Sequence, residues 1–292
     1  MWTATNWKDY ELLDAASGER LERWGDYILI RPDPQIVWHG EKSLPEWRMA
    51  DGIYRRSSAG GGSWVRSEMP GEWKVTYGDL AFILRPMGFK HTGLFPEQAA
   101  NWDWFSPMIR TAASTGREVK ILNLFAYTGG ATLAAAKAGA SVCHVDAARG
   151  MVAHAKENAA ASGLSDAKIR YIVDDCRKFV EREYRRGNRY DGIIMDPPSY
   201  GRGPSGEVWK LEDSAEGLIG AAASILSDRP LFFLVSSYTA GISSLSMKYI
   251  VDLALKKRFG GSSEAGELTL PVRSTGLVLP CGSSVRWSAD TR

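Results

Sequence analysis

Between Glu118 and Phe259 short apolar runs alternate with longer amphipathic or alanine-rich stretches, and no other feature of the 292 residues restricts the fold as much. EVKILNLF (118–125), SVCHVD (141–146), KIRYIVDD (168–175), YDGIIMD (190–196) and LFFLVSS (231–237) have the length and residue types of buried strands. TLAAAKAG (132–139), MVAHAKENAAASG (151–163), CRKFVEREYRR (176–186), LEDSAEGLIGAAASILS (211–227) and ISSLSMKYIVDLALKKRF (242–259) read as helices. Such alternation predicts βαβ units and a doubly wound parallel α/β sheet. Ligands of these sheets sit beyond the carboxyl ends of the strands, so those ends carry the functional information.

The first end reads Asn123-Leu124-Phe125-Ala126-Tyr127-Thr128-Gly129-Gly130, where glycines permit close backbone approach and Thr128 is expected to cap the next helix. A plain turn is the alternative reading of Gly-Gly alone. The second strand ends in Asp146, roughly 20 residues on, where a carboxylate can accept both hydroxyls of a ribose. The third ends in Asp174-Asp175, which either meets the amine of a nucleotide base or caps the following helix. The fourth ends in Asp196-Pro197-Pro198-Ser199-Tyr200-Gly201. Two prolines force a rigid, extended exit, holding the Asp196 carboxylate and Pro197 carbonyl as acceptors for an amine, with Tyr200 either stacking on a flat ring or packing in the core. No GxGxxG or GxxxxGK[ST] occurs, which disfavours a nicotinamide dehydrogenase and removes the P-loop.

The N-terminal part has another composition. Nine of eleven tryptophans precede residue 105, and residues 1–105 hold 12 Lys+Arg against 15 Asp+Glu (net −3), leaving 24 against 19 (net +5) for 106–292. If a nucleic acid binds, charge places it mainly on the second segment. YILIR (27–31), QIVWH (35–39), GIYRR (52–56), SWVRS (63–67), WKVTY (73–77) and LAFILR (80–85) are expected as strands of a small antiparallel β domain, with a hairpin tip at Gly60-Gly61-Gly62. Most of its tryptophans are expected in the core and a few on the surface; Arg55, Arg56 and Arg66 form its one basic cluster. Cys143, Cys176 and Cys281 lack CxxC spacing, which suggests neither disulfides nor a metal site, and the absence of a leader or apolar span points to the cytoplasm.

NLFAYTGG (123–130), VDAARGMVAHAKENAAASG (145–163), DDCRKFV (174–180), DPPSYG (196–201) and the preceding HTGLFPEQ (91–98) together resemble the bacterial class I S-adenosylmethionine-dependent methyltransferases that modify bases of large-subunit ribosomal RNA. The resemblance covers roughly residues 88 to 287 and implies a Rossmann-like methyltransferase sheet over 88–292 behind a β-rich accessory domain over 1–87. It implies that Phe125, Tyr127, Thr128 and Gly129 cradle the methionine part of the cofactor and that Asp146 with Ala147 holds the ribose. Asp175 and Cys176 edge the adenine, Phe95 and Gln98 close the pocket from the side, and Asp196, Pro197 and Tyr200 present the acceptor. It implies RNA as partner and no metal; the oligomeric state is left open.

Two departures shape the expectation. Ala99 stands where the family carries an Arg after the Gln of the lid segment. Members that methylate a cytosine carbon use a cysteine after the fifth strand, whereas this chain reads Ser236-Ser237-Tyr238. Carbon methylation needs a covalent adduct that a thiolate forms far more readily than a hydroxyl, so methylation at nitrogen is expected. Lys210, Arg202 and the segment 177–189 are candidates for phosphate contact, the last also readable as a solvated helix. Trp102 and Trp104, just after the lid segment, are expected to brace the cofactor pocket. Action on a protein side chain or small molecule, and a non-catalytic RNA-binding role, are the alternatives.

Overall fold

All but one of the runs expected as strands before residue 86 do pair in the computed structural model, which describes residues 1–57, 61–88, 90–202 and 208–290. The chain divides into two units: Met1–Ala100 with Glu157–Ser162 and Leu268–Cys281, and Asn101–Lys156 with Gly163–Glu267 and Gly282–Arg292.

The first unit contains β1 (Trp2–Thr3), β2 (Tyr10–Ala16), β3 (Glu19–Trp24), β4 (Tyr27–Pro32), β5 (Gly52–Arg56), β6 (Gly62–Ser67), β7 (Trp73–Tyr77) and β8 (Leu80–Leu84). Strands β2 to β6 form one sheet in sequence order, and β7 and β8 form a hairpin. The sheet is not wholly antiparallel as expected: β4 and β5 run parallel, pairing Leu29 with Gly52 and Ile30 with Ile53. A parallel pair cannot be closed by a tight turn. Residues 33–51 make the long return, so the expected strand at 35–39 is absent; Ile36 is buried there and Val37 is exposed. Strands β2 and β3 were not predicted; β3 reads ERLERW, with four charges in six residues. Glu22 is nevertheless fully buried, accepting from Arg31 Nε at 2.6 Å, Arg31 Nη2 at 2.8 Å and the Tyr10 hydroxyl at 2.9 Å. The β8 edge is closed by side chains: Ile83 N–H donates to Asn158 Oδ1 at 2.8 Å and Ala81 N–H to Ser162 Oγ at 2.9 Å.

The second unit is built from α1 (Ala99–Ser114, whose first two residues count with the first unit), β9 (Lys120–Leu124), α2 (Gly130–Lys137), β10 (Ser141–Asp146), α3 (Arg149–Ala161, whose C-terminal turn also counts with the first unit) and β11 (Ile169–Val173). It continues through α4 (Cys176–Arg185), β12 (Gly192–Met195), β13 (Tyr200–Arg202), β14 (Val208–Lys210), α5 (Leu211–Ser224), β15 (Phe232–Ser237) and α6 (Ser244–Phe259). Strands β16 (Ser262–Pro271) and β17 (Val278–Ser288), unpredicted and Ser/Gly-rich, extend the sheet, whose order is β1-β16-β17-β15-β12-β9-β10-β11. Strands β15, β12, β9, β10 and β11 are mutually parallel, and β17 is antiparallel to β15. This is the predicted doubly wound sheet. The order reverses between β9 and β12, which opens a crevice above their carboxyl ends. Leu122, Leu124, Ile193, Met195 and Val235 pack on Leu218, Ile219 and Ala222 of α5 and Val251 of α6. Burial of each large side chain contributes about 1.5–3 kcal/mol, which holds the strand ends in place.

Candidate active site

The turn after β9 is conformationally costly and tightly clamped. Phe125 and Tyr127 have φ of 55° and 50°, a left-handed conformation costing a non-glycine residue roughly 1–2 kcal/mol. Each is held by an element further along the chain: Phe125 N–H donates to Cys176 Sγ at 3.2 Å and Tyr127 N–H to Asp146 Oδ2 at 2.9 Å, while Ala126 N–H between them donates to Val145 O at 3.1 Å. Thr128 does not cap α2. Gly129 is the N-cap residue, with φ of 88°, and Thr128 is buried beneath the turn. The left-handed backbone requires glycine there, and a Cβ at Gly129 would lie 3.0 Å from the Cβ of Ala155.

Gly130 is set by packing. A Cβ on it would stand 2.6 Å from Cζ2 of Trp102, so the buried indole braces the turn. Trp104 does not share that contact; it packs edge-on to Phe232 (5.6 Å between centroids) under the Arg286 guanidinium. Below the turn lies a polar chain that sequence reasoning missed: Asn123 Nδ2 donates to Thr132 Oγ1 at 2.9 Å, itself 2.9 Å from His144 Nδ1. Burial pushes the His144 pKa down to about 4, so the ring is neutral.

Both Asp146 oxygens are oriented, Oδ2 by Tyr127 N–H and Oδ1 by Ala148 N–H at 2.8 Å, and the side chain stays half-buried beside the exposed Ala147. A carboxylate has about four acceptor positions, so both oxygens keep capacity for a ligand. Asp175 caps α4, accepting from Lys178 N–H at 2.8 Å, and is exposed; Asp174 pairs with Arg182. Cys176 is buried, and burial pushes its thiol up to about 12 against the opposing pull of the Phe125 N–H.

At the end of β12, Asp196 is half-buried, Pro197 buried, and Tyr200 is 51% exposed, so its ring is not core. Trp209, which sequence reasoning passed over, joins the two strand ends that flank the crevice: its indole N–H donates to Pro198 O at 2.8 Å and its ring lies 6.2 Å from that of Phe125. Leu211 N–H donates to Ser199 O at 3.1 Å. A cavity of about 470 Å³ borders this loop, and one of about 740 Å³, lined by Lys120, Lys168, Arg170 and Arg189 among others, opens at the opposite ends of the strands.

Phe95 and Gln98 belong to the first unit, where Phe95 precedes a 3₁₀ turn over Pro96–Gln98 whose Pro96 carbonyl accepts from Trp7 Nε1 at 2.8 Å. The β15 end carries hydroxyls: Ser236 Oγ lies 3.0 Å from Ser284 Oγ, and Asn101 Nδ2 reaches Ser284 at 3.0 Å. Of the tryptophans expected mainly in the core, Trp24, Trp47 and Trp73 are buried, Trp2, Trp7 and Trp64 half-buried, and Trp38 exposed. Arg55 pairs with Glu19 at 2.8 Å, whereas Gly60 and the side chains of Arg66 and Arg202 lie outside the described residues. Among the described residues no cluster of His, Cys, Asp and Glu suits a metal ion, and no helix is long and apolar enough to cross a membrane.

Comparison with known proteins places this geometry. A family model described as S-adenosylmethionine-dependent methyltransferase matches residues 42–209. The crystal structure of the SAM-dependent methyltransferase from Agrobacterium tumefaciens is similar over 99% of this chain and 93% of its own, with 36% identity and a TM-score of 0.91. A methyltransferase from Streptococcus mutans shares the fold at 19% identity (TM-score 0.74, 98% of this chain, 76% of that one). Among curated proteins, ribosomal RNA large subunit methyltransferase K/L of Shewanella frigidimarina is 31% identical over 50% of this chain and 20% of its own length. Its counterpart in Chromohalobacter salexigens is 27% identical over 70% of this chain and 26% of its length. The chain thus spans about a fifth to a quarter of these relatives.

Proposed function

Because the chain belongs to the S-adenosylmethionine-dependent methyltransferase family, we propose that it methylates a nucleobase of RNA, ribosomal RNA foremost, at a nitrogen and in the cytoplasm. Residues 88–292 carry the transfer and 1–87 assist in presenting substrate. The observation that carries the reading is the junction of two strand ends: Asp146 clamping the turn after β9, and Trp209 joining that turn to the exit of β12.

The residues fit the cofactor, because Asp146 at the second strand end keeps acceptor capacity on both oriented oxygens. When bound, S-adenosylmethionine supplies an electrophilic methyl on a sulfonium with a neutral thioether as leaving group. Asp146, with Ala147 beside it, accepts from the ribose hydroxyls; Phe125, Tyr127, Thr128 and Gly129 form the wall for the methionine part. Asp175 borders the adenine with its free carboxylate oxygen and Cys176 with its backbone, since the Cys176 thiol is engaged by Phe125 N–H. Phe95 and Gln98 close the pocket. Asp196 and the Pro197 carbonyl accept from the target amine and aim its lone pair along the transfer axis, while Tyr200 supports the ring. Alignment and exclusion of water are the main catalytic demands of such a transfer.

The nitrogen assignment is supported by Ser236-Ser237-Tyr238, which holds no cysteine where a carbon methylase needs a thiolate. The RNA assignment is supported by the names of the curated relatives. Tritiated methyl transfer into RNA from a strain lacking the gene, compared with wild-type RNA, tests it: label confined to the former is expected, followed by nucleoside mass spectrometry to name the atom. No label in either RNA would move the substrate to a protein or small molecule. Asp196→Ala is expected to keep cofactor binding and lose at least about 100-fold in transfer; unchanged turnover removes its role.

A further inference from the structure

The cavity of about 470 Å³ beside the loop after β12 is lined by Ser199, Tyr200, Lys210, Glu212, Asp213 and Thr239. We propose that it selects the target base by a lactam edge: the Glu212 carboxylate accepts from a ring N–H, the Lys210 ammonium donates to the adjacent ring carbonyl, and Tyr200 carries the π-face. This rests on the reading of the substrate as a nucleobase.

The placement of these groups follows from the backbone. Tyr200 and Lys210 are direct partners in the antiparallel β13–β14 ladder, so their side chains leave the same face with Cβ atoms about 5 Å apart. Glu212, two residues on in the first turn of α5, is fixed from the far side: the Thr239 hydroxyl donates to Oε1 at 2.9 Å, and Thr239 Oγ1 in turn accepts from Gly241 N–H at 3.0 Å. Any Cβ at Gly241 would collide with the Glu212 carboxyl, so that glycine is what admits the side chain. With Oε1 held by the turn, the carboxylate retains acceptor positions for a ligand. Its own backbone N–H and the Thr239 hydroxyl hold the Glu212 carboxyl below the usual range, with Lys210 adding to the effect. An acceptor–donor pair of opposite charge beside an aromatic ring complements a flat ring with N–H next to C=O. An adenine edge would instead set its ring nitrogen against the carboxylate, two acceptors facing one another, a mismatch that costs binding to the extent that the stacked base displaces water from both.

The test measures kcat/KM for tritiated methyl transfer into total RNA from a strain lacking the gene, with S-adenosylmethionine affinity by calorimetry and the labelled nucleoside by mass spectrometry. Glu212→Gln, which turns a donor toward the ring N–H, is expected to lose at least about 30-fold, and Lys210→Met about 10-fold, both with cofactor affinity within about twofold. Thr239→Val removes the hydrogen bond that holds Oε1 but leaves the carboxylate, and is expected to cost less than about threefold. Wild-type kcat/KM in Glu212→Gln, or an equal loss in Thr239→Val, assigns Glu212 to holding the turn and overturns the pocket. Label on adenosine alone overturns the lactam edge. If the wild-type enzyme binds cofactor but labels no RNA, the nucleobase reading itself falls and takes the pocket with it.

Discussion

Glu22 of the first unit and the strand-end carboxylates of the second are treated in opposite ways. In the first, Glu22 is sealed between Arg31, Arg20 and Tyr10, with Trp24 stacked edge-on to Tyr10 at 4.4 Å. In the second, Asp146 and Asp196 stand half-buried at strand ends, and the Asp146 oxygens are oriented by the backbone N–H groups of Tyr127 and Ala148. A buried, fully paired carboxylate supports one arrangement of the chain, while a half-exposed, oriented one keeps acceptor positions open. The tryptophans agree: Trp7, Trp38, Trp47, Trp64 and Trp73 all donate their indole N–H to acceptors within the first unit. The richness in Trp serves its packing, with Trp38 the most exposed of the seven.

The largest effect that tests this contrast is Glu22→Ala. It strands buried guanidiniums and is expected to cost about 3–5 kcal/mol in urea unfolding. A loss below about 1 kcal/mol would show that the buried network does not hold the first unit. Burial works to raise the Glu22 pKa, but Arg31 and Arg20 hold it below the ordinary value, so its stabilisation is present above about pH 4.5 and is lost as pH falls further. Asp146→Ala comes next, with an expected loss of at least about 100-fold in S-adenosylmethionine affinity by calorimetry and a cooperative unfolding transition retained. Undiminished affinity would remove Asp146 from the cofactor site.

A smaller effect depends on pH. His144, held neutral by burial with a pKa of about 4 against an ordinary 6.5, favours the folded state fully above pH 6.5. Between 6.5 and 4 the unfolded chain takes up the proton and the folded chain does not, so stability should fall there by on the order of 2 kcal/mol. His91 of the first unit, also pushed to about 4 by burial and by Arg31 and Lys90, adds to the slope. The difference between wild type and His144→Asn therefore isolates the share of the second unit, and identical pH profiles would refute it. Smallest is Trp38→Ala, expected to cost about 1 kcal/mol and to change the KM for RNA less than about threefold. A larger KM change would make the exposed ring a substrate contact and blur the contrast between the units.

Much of the second unit was legible because its signals are local. Strand length, helix period, Gly129-Gly130 and Asp196-Pro197-Pro198 each restrict the backbone within a few residues, and five parallel strands with their end groups follow from them. The clamps were not legible. Cys176 under Phe125, Trp209 on Pro198, His144 beneath Thr132 and Thr239 on Glu212 join residues that only the fold brings together.

The same division runs through the first unit. ERLERW carries four charges, and nothing local shows that Arg31 buries one of them; QIVWH looked like a strand because nothing local tells a strand from the return that a parallel pair requires. By itself the sequence determined the doubly wound sheet, the order of its strand ends and the class of ligand they suit, since period and turn chemistry act over short spans. Tertiary structure alone decided which carboxylates are sealed and which remain oriented with open acceptor positions. That outcome depends on whether a distant cation or a nearby N–H completes the hydrogen bonds of each, and no local pattern encodes it.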